Sequence, residues 1–265
     1  MKTGICNART LFSMWLLACC AQVGALAQTS VMIWPLDPVI EEDQRATAIW
    51  LENRGTETVS MQIRVLSWTQ NNREDGYEPQ DQVLASQPIA EIGPGQRQLV
   101  RLMNTRPAPE GKEVAYRVLV DELPSTATAA NPDRAAQGSG SGMGIKLQIR
   151  YSIPLFVSGK GNWFKPRADR KRDPATAAQP VLNWRTERDD SGYYLVVGNS
   201  GNAHARLTAA QWVRGDETKL INAGLLGYVL PGALMRWRLE NPPPAGFAPQ
   251  ARVNGGSAPV VFAAQ

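Results

Sequence analysis

The sequence predicts an all-β chain folded as two β-sandwich domains, and three observations carry that expectation. Short stretches with apolar residues at every second position recur between turn signals from residue 46 to residue 239, as half-buried antiparallel strands do. No segment has the convincing 3.6-residue periodicity of a long amphipathic helix. Gly159-Lys160-Gly161 divides the chain into two blocks, each of roughly 100 to 130 residues, the usual size of immunoglobulin-like domains.

Residues 1–27 read as an export signal: Lys2 and Arg9 lead, 11–21 are apolar, and Ala25-Leu26-Ala27 is a small-x-small cleavage site. The apolar run is shorter than the roughly 20 residues a spanning helix needs, so cleavage after Ala27 without stable membrane insertion is expected. A lipoprotein anchored at Cys19 is the competing reading, and Leu17 fits its lipidation box poorly.

The first domain, 28–158, holds predicted strands at 46–51, 59–68, 98–103 and 113–123. Asn53-Arg54-Gly55 and Gly93-Pro94-Gly95 supply turns, and Pro124 stops the fourth strand. Residues 125–144, rich in Ala, Ser and Gly, read as a hairpin loop leading to a strand at 145–157. A linker spans 159–164. The second domain, 165–265, opens on a basic run, 165–172, read as a solvated connection. Its predicted strands are 181–184, 193–197, 205–213, 227–230 and 234–239, and Asn241-Pro-Pro-Pro244 interrupts the pattern.

Composition removes several chemistries. Lys+Arg number 28 against 24 Asp+Glu; without Lys2 and Arg9 the balance is 26 against 24, which asks for no nucleic-acid partner. Cys6, Cys19 and Cys20 all precede Ala27, and His204 is the single histidine. The mature chain therefore lacks a Cys/His zinc set and a cysteine nucleophile. A Ser-His-Asp arrangement would have to use His204, which reads as a strand-edge histidine. There is no phosphate-binding glycine loop or dinucleotide fingerprint. No cofactor, no metal and no enzymatic activity are expected. A secreted carboxylate-pair hydrolase fits the composition, but no paired motif points to one.

The segment 145–153 carries the functional signal. Its odd positions, Ile145, Leu147, Ile149, Tyr151 and Ile153, are apolar, and its even positions, Lys146, Gln148, Arg150 and Ser152, are polar. In a strand this gives one continuous apolar face roughly 30 Å long. A strand that follows a loop and closes its block is expected at a sheet edge, where unpaired backbone invites a partner strand. Burial of five such side chains offers on the order of 10 kcal/mol gross, before association costs.

At these residues the sequence resembles the periplasmic pilus-assembly chaperones of the chaperone–usher pathway. The resemblance rests on Leu51-Glu52-Asn53, Gly93-Pro94-Gly95-Gln96, Val100-Arg101-Leu102, the run 116–124 (YRVLVDELP) and the alternating strand with its Ile153-Pro-Leu-Phe-Val157 ending. In the second domain, 199–207 and Tyr228-Val-Leu-Pro-Gly232 carry a weaker match. It implies two immunoglobulin-like domains in a boomerang arrangement. It also implies a chaperone that completes the groove of a pilin subunit with Ile145, Leu147, Ile149, Tyr151 and Ile153, then delivers it to an outer-membrane usher. Self-association through the same edge is a further expectation. A structural pilin or adhesin built on such a sandwich is the alternative.

Two basic residues that bind the pilin C-terminus in better-known members are replaced here by Asp37 and Pro154. The Tyr151-Ser-Ile-Pro-Leu-Phe-Val157 ending looks more like the divergent branch that assembles archaic or spore-coat-like pili. The candidate anchors are therefore Arg101 and Arg117, with Lys146 and Arg150 as outsiders. Glu113 fits the acidic member of the family's interdomain ion pair, whereas Ser158 stands where its arginine is expected.

Overall fold

The computed structural model describes residues 31–124, 148–163, 169, 171–173 and 177–265. In chain order the first block forms β1 (Val31–Trp34), β2 (Val39–Ile40), β3 (Ala46–Asn53), β4 (Val59–Asn71) and β5 (Glu74–Pro79). It continues with β6 (Val83–Ala85), β7 (Ile89–Ile92), β8 (Arg97–Asn104), β9 (Glu113–Leu123) and β10 (Arg150–Ser158). The second forms β11 (Leu182–Asp189), β12 (Gly192–Asn199), β13 (Ala205–Arg214) and β14 (Glu217–Val229). β15 (Leu234–Leu239), β16 (Ala248–Val253), β17 (Pro259–Val261) and β18 (Ala263–Ala264) complete it.

Each block is two sheets packed face to face. In the first, the order β1-β3-β8-β6 faces β2-β10-β9-β4-β5, with β7 also paired to β4. In the second, β15-β12-β11-β18 faces β14-β13-β16-β17. These are the two immunoglobulin-like sandwiches the sequence predicts. Alternation decides which residues meet between the sheets. Ile49 and Leu51 of β3, Met61 and Ile63 of β4, Val100 and Leu102 of β8, and Val118 and Val120 of β9 are all buried in the first core. Leu195, Val197, Leu207, Val229 and Ala251 do the same in the second.

Most strands with clean alternation overlap their sequence expectations, but the one expected at 145–157 begins at Arg150: Gln148 and Ile149 lie outside it, and 145–147 lie outside the described residues. β5, the first part of β14, and β16 do not follow from pattern. Glu74–Pro79 is nearly all exposed and pairs with β4 because Asn72 and Arg73 take positive φ, 53° and 69°, the geometry of a tight hairpin turn. The basic run is corrected: Arg172 is not a solvated connection. Its side chain is 3% exposed, with Glu41 at 3.6 Å and Asp43 at 3.5 Å, and it lies over the Trp163 ring. An acidic turn of the first sandwich thus holds it, since a guanidinium leaves water only where carboxylates meet it.

Candidate functional site

β10 carries the candidate site. It pairs with β9 along its whole length, Arg150↔Asp121 to Ser158↔Glu113. On its other side β2 covers only Phe156 and Val157. Among the described residues, 150–155 therefore have a strand neighbour on one side only. The Ile149 carbonyl accepts from the Glu122 N–H, so odd residues bond toward β9 and even residues point their backbone groups to the open edge. The edge thus offers the N–H groups of Arg150 and Ser152. It stops at Pro154, which has no N–H and costs no ladder bond there.

The odd face runs into the sandwich. Ile153 is 3% exposed within the first core. Tyr151 packs against that core and donates its hydroxyl to the Val31 carbonyl at 2.7 Å. Both side chains are thus already packed within their own domain. Ile149, at 36% exposure, is where this face emerges; Ile145, Lys146 and Leu147 lie outside the described residues. On the even face, Asp121 accepts from Arg64 at 2.6 Å and from Arg150. Burial pushes the Asp121 carboxyl up, but the hydrogen bonds from Arg150 and Arg64 outweigh it and hold it below its ordinary value. Arg150 is thereby engaged at the root of the strand.

Beyond Pro154 lies a cleft between the sandwiches, a cavity of about 650 Å³. Asp37, Pro154 and Arg117 all line it, with Asp75 and Arg206. Arg117 is the register partner of Pro154. Its guanidinium carbon stands 3.8 Å over the Trp68 ring and 5.2 Å from the Tyr228 ring, and its buried Nε has no hydrogen-bond partner. Arg101 is elsewhere: it is exposed on β8 of the opposite sheet, between buried Val100 and Leu102, and does not line the cleft.

The hinge pairs Glu113, the acidic member the resemblance implies, with a residue the sequence did not link to it. The Glu113 side chain is fully buried and accepts from the His204 backbone N–H and pairs with its Nδ1, both at 2.8 Å. His204 stacks on Phe156 with ring centroids 3.4 Å apart. His204 stands immediately before β13, at the strand's edge as expected, and is in addition an interdomain contact. Its signal in the sequence was solitude alone, because its partners are 91 and 48 residues away. Among the described residues, no group of three His, Cys, Asp or Glu side chains comes together to hold a metal ion.

Comparison with known proteins places this geometry. Residues 31–161 match the family model of the pili and flagellar-assembly chaperone, PapD N-terminal domain. A chain in the crystal structure of the CsuC–CsuE chaperone–tip adhesion subunit pre-assembly complex, from archaic chaperone–usher Csu pili of Acinetobacter baumannii, is 29% identical. The match covers 89% of this chain and 99% of that one, with a TM-score of 0.69. The Salmonella enterica SafA pilin–SafB chaperone complex is similar at 16% identity, 89% and 97% coverage and TM-score 0.57. The YadV chaperone follows at 15% identity, 87% and 96% coverage and TM-score 0.55; these two speak for the fold. No curated protein sequence matches.

Proposed function

Since residues 31–161 belong to the pili and flagellar-assembly chaperone family, we propose that this chain is a periplasmic, non-enzymatic chaperone that lends a strand to pilin-like subunits and delivers them to an outer-membrane usher. The observation that carries the lending is the open edge of β10 over 150–155. A subunit strand laid along it gains backbone hydrogen bonds. By sequence, Ile145, Leu147 and Ile149 belong to the same alternating apolar set, and in this reading they fill the subunit's groove. Tyr151 and Ile153, packed in the first domain, anchor the strand they extend. Such a subunit strand ends at Pro154, beside Arg117, which takes its terminal carboxylate. Arg101 is set aside as an anchor because it lies on the other sheet.

Export after cleavage behind Ala27 brings the chaperone to its clients. The experiment is co-expression with secreted β-rich proteins, wild type against Ile149→Asp. A 1:1 complex with a client that is otherwise degraded, lost in the variant while the free chaperone still folds, is the expected result. Unchanged recovery removes Ile149 from the groove, and homopolymers of this chain in place of a complex establish the pilin alternative.

A further inference from the structure

The Arg117 site is built from both sandwiches. Trp68 of β4 is one wall and Tyr228 of β14 the other, and the two rings meet edge to face with centroids 5.4 Å apart. The β4–β5 hairpin reaches from the first domain onto the second to hold them there. Gln70 donates to the Tyr228 carbonyl at 3.0 Å and accepts from the Leu230 N–H at 2.8 Å. Asp75 Oδ1 accepts from Trp68 Nε1 at 2.8 Å and Gln70 Nε2 at 2.9 Å, fixing both side chains. At the hairpin tip Arg73 makes a two-pronged pair with Glu187 of β11, one prong 2.9 Å long. Both partners are about three-quarters buried, with 30% and 26% of their side-chain surface exposed.

We propose that the carboxylate anchor exists only in the docked pair of domains, with Gln70 and Arg73 as positioning residues that touch no client. This rests on the reading of Arg117 as the anchor. Separating the sandwiches strips Tyr228 from the guanidinium and opens its surroundings to water, where a single charge pair is worth little. Coupling is reciprocal: a client carboxylate bound at Arg117 tightens the docking of the two domains.

The test measures binding of a short peptide of alternating valine and serine, with a free C-terminal carboxylate or amidated, to the full mature chain. Wild type prefers the free acid by about tenfold, the worth of one charge-assisted hydrogen bond. Arg73→Glu, and the uncharged change Gln70→Ala, bring the preference below about threefold. The swap Arg73→Glu with Glu187→Arg restores it. A purely structural role would weaken both peptides alike and leave the ratio unmoved. If wild type prefers the acid and the hairpin variants keep the full preference, the positioning role is overturned and Arg117 stands. If wild type binds both peptides equally or neither, Arg117 is not the anchor and both readings fall.

Discussion

Asn53 and Asn199 end equivalent strands in the two sandwiches and do the same work. Each is almost fully buried. Asn53 donates to the carbonyls of Glu57 and Ile92 and accepts from the Gly55 N–H. Asn199 donates to those of Ala203 and Val229 and accepts from Gly201 and Val181. Each amide satisfies a turn and ties it to a second strand. Asn→Leu at either position leaves several buried backbone groups without partners. Each such group costs about 1–3 kcal/mol, so we expect a loss of about 2–4 kcal/mol, measured by urea unfolding. A loss below about 0.5 kcal/mol, the range of an ordinary surface substitution, contradicts this account. Only part of this was legible in the sequence. Leu51-Glu-Asn53 stood out as a motif. The likeness of Asn53 and Asn199 did not, because their distant partners, 39 and 30 residues on, leave no local trace.

At the scale of the element, β10 was readable from the alternation that runs into its first residues, although 153–158 are buried on both faces. β14 was not: 13 residues long and mostly exposed at a sheet edge, it carries register shifts against β13 that break the period. The free edge follows from topology, which alternation alone leaves open, since a core strand and a lent strand share one pattern. This makes a sharp prediction at Ser152, whose N–H points outward while its neighbours' bond to β9. Ser152→Pro removes one edge donor and leaves the β9 ladder whole. We expect client affinity to fall about three- to tenfold, the net worth of one neutral hydrogen bond, with the melting temperature of the free chaperone nearly unchanged. A client complex of undiminished affinity would mean that no strand pairs at this edge.

At the scale of the whole molecule, two stitches join the sandwiches: Glu113 with His204, and Gln70 with Arg73 on the β4–β5 hairpin. In the first stitch Glu113 pairs with His204, while its register partner Ser158 carries no charge. His204→Ala removes the Phe156 stack and half the partners of a buried carboxylate, and should destabilise the docked state by about 1–3 kcal/mol. Calorimetry that resolves the two domains, with one cooperative transition in wild type and two in the variant, would display it; identical traces would assign the stitch no weight.

The second stitch answers to acid. Burial raises the Glu187 carboxyl, but the hydrogen bonds from Arg185 and Arg73 outweigh it, and its value falls below the ordinary 4.5. The carboxylate is held in the folded state, so its contribution is fully present above pH about 4.5 and is lost as pH falls through the lowered value. Asp121, held low by Arg150 and Arg64, titrates in the same direction but inside the first domain. The two are separable by what they disturb. Glu187→Gln should give, at neutral pH, the wider interdomain angle that wild type reaches only in acid. Small-angle scattering from pH 7 down to 3 follows that angle. A wild-type profile that already opens near neutrality, or a Glu187→Gln profile that retains the full acid step, would place the controlling group outside this pair.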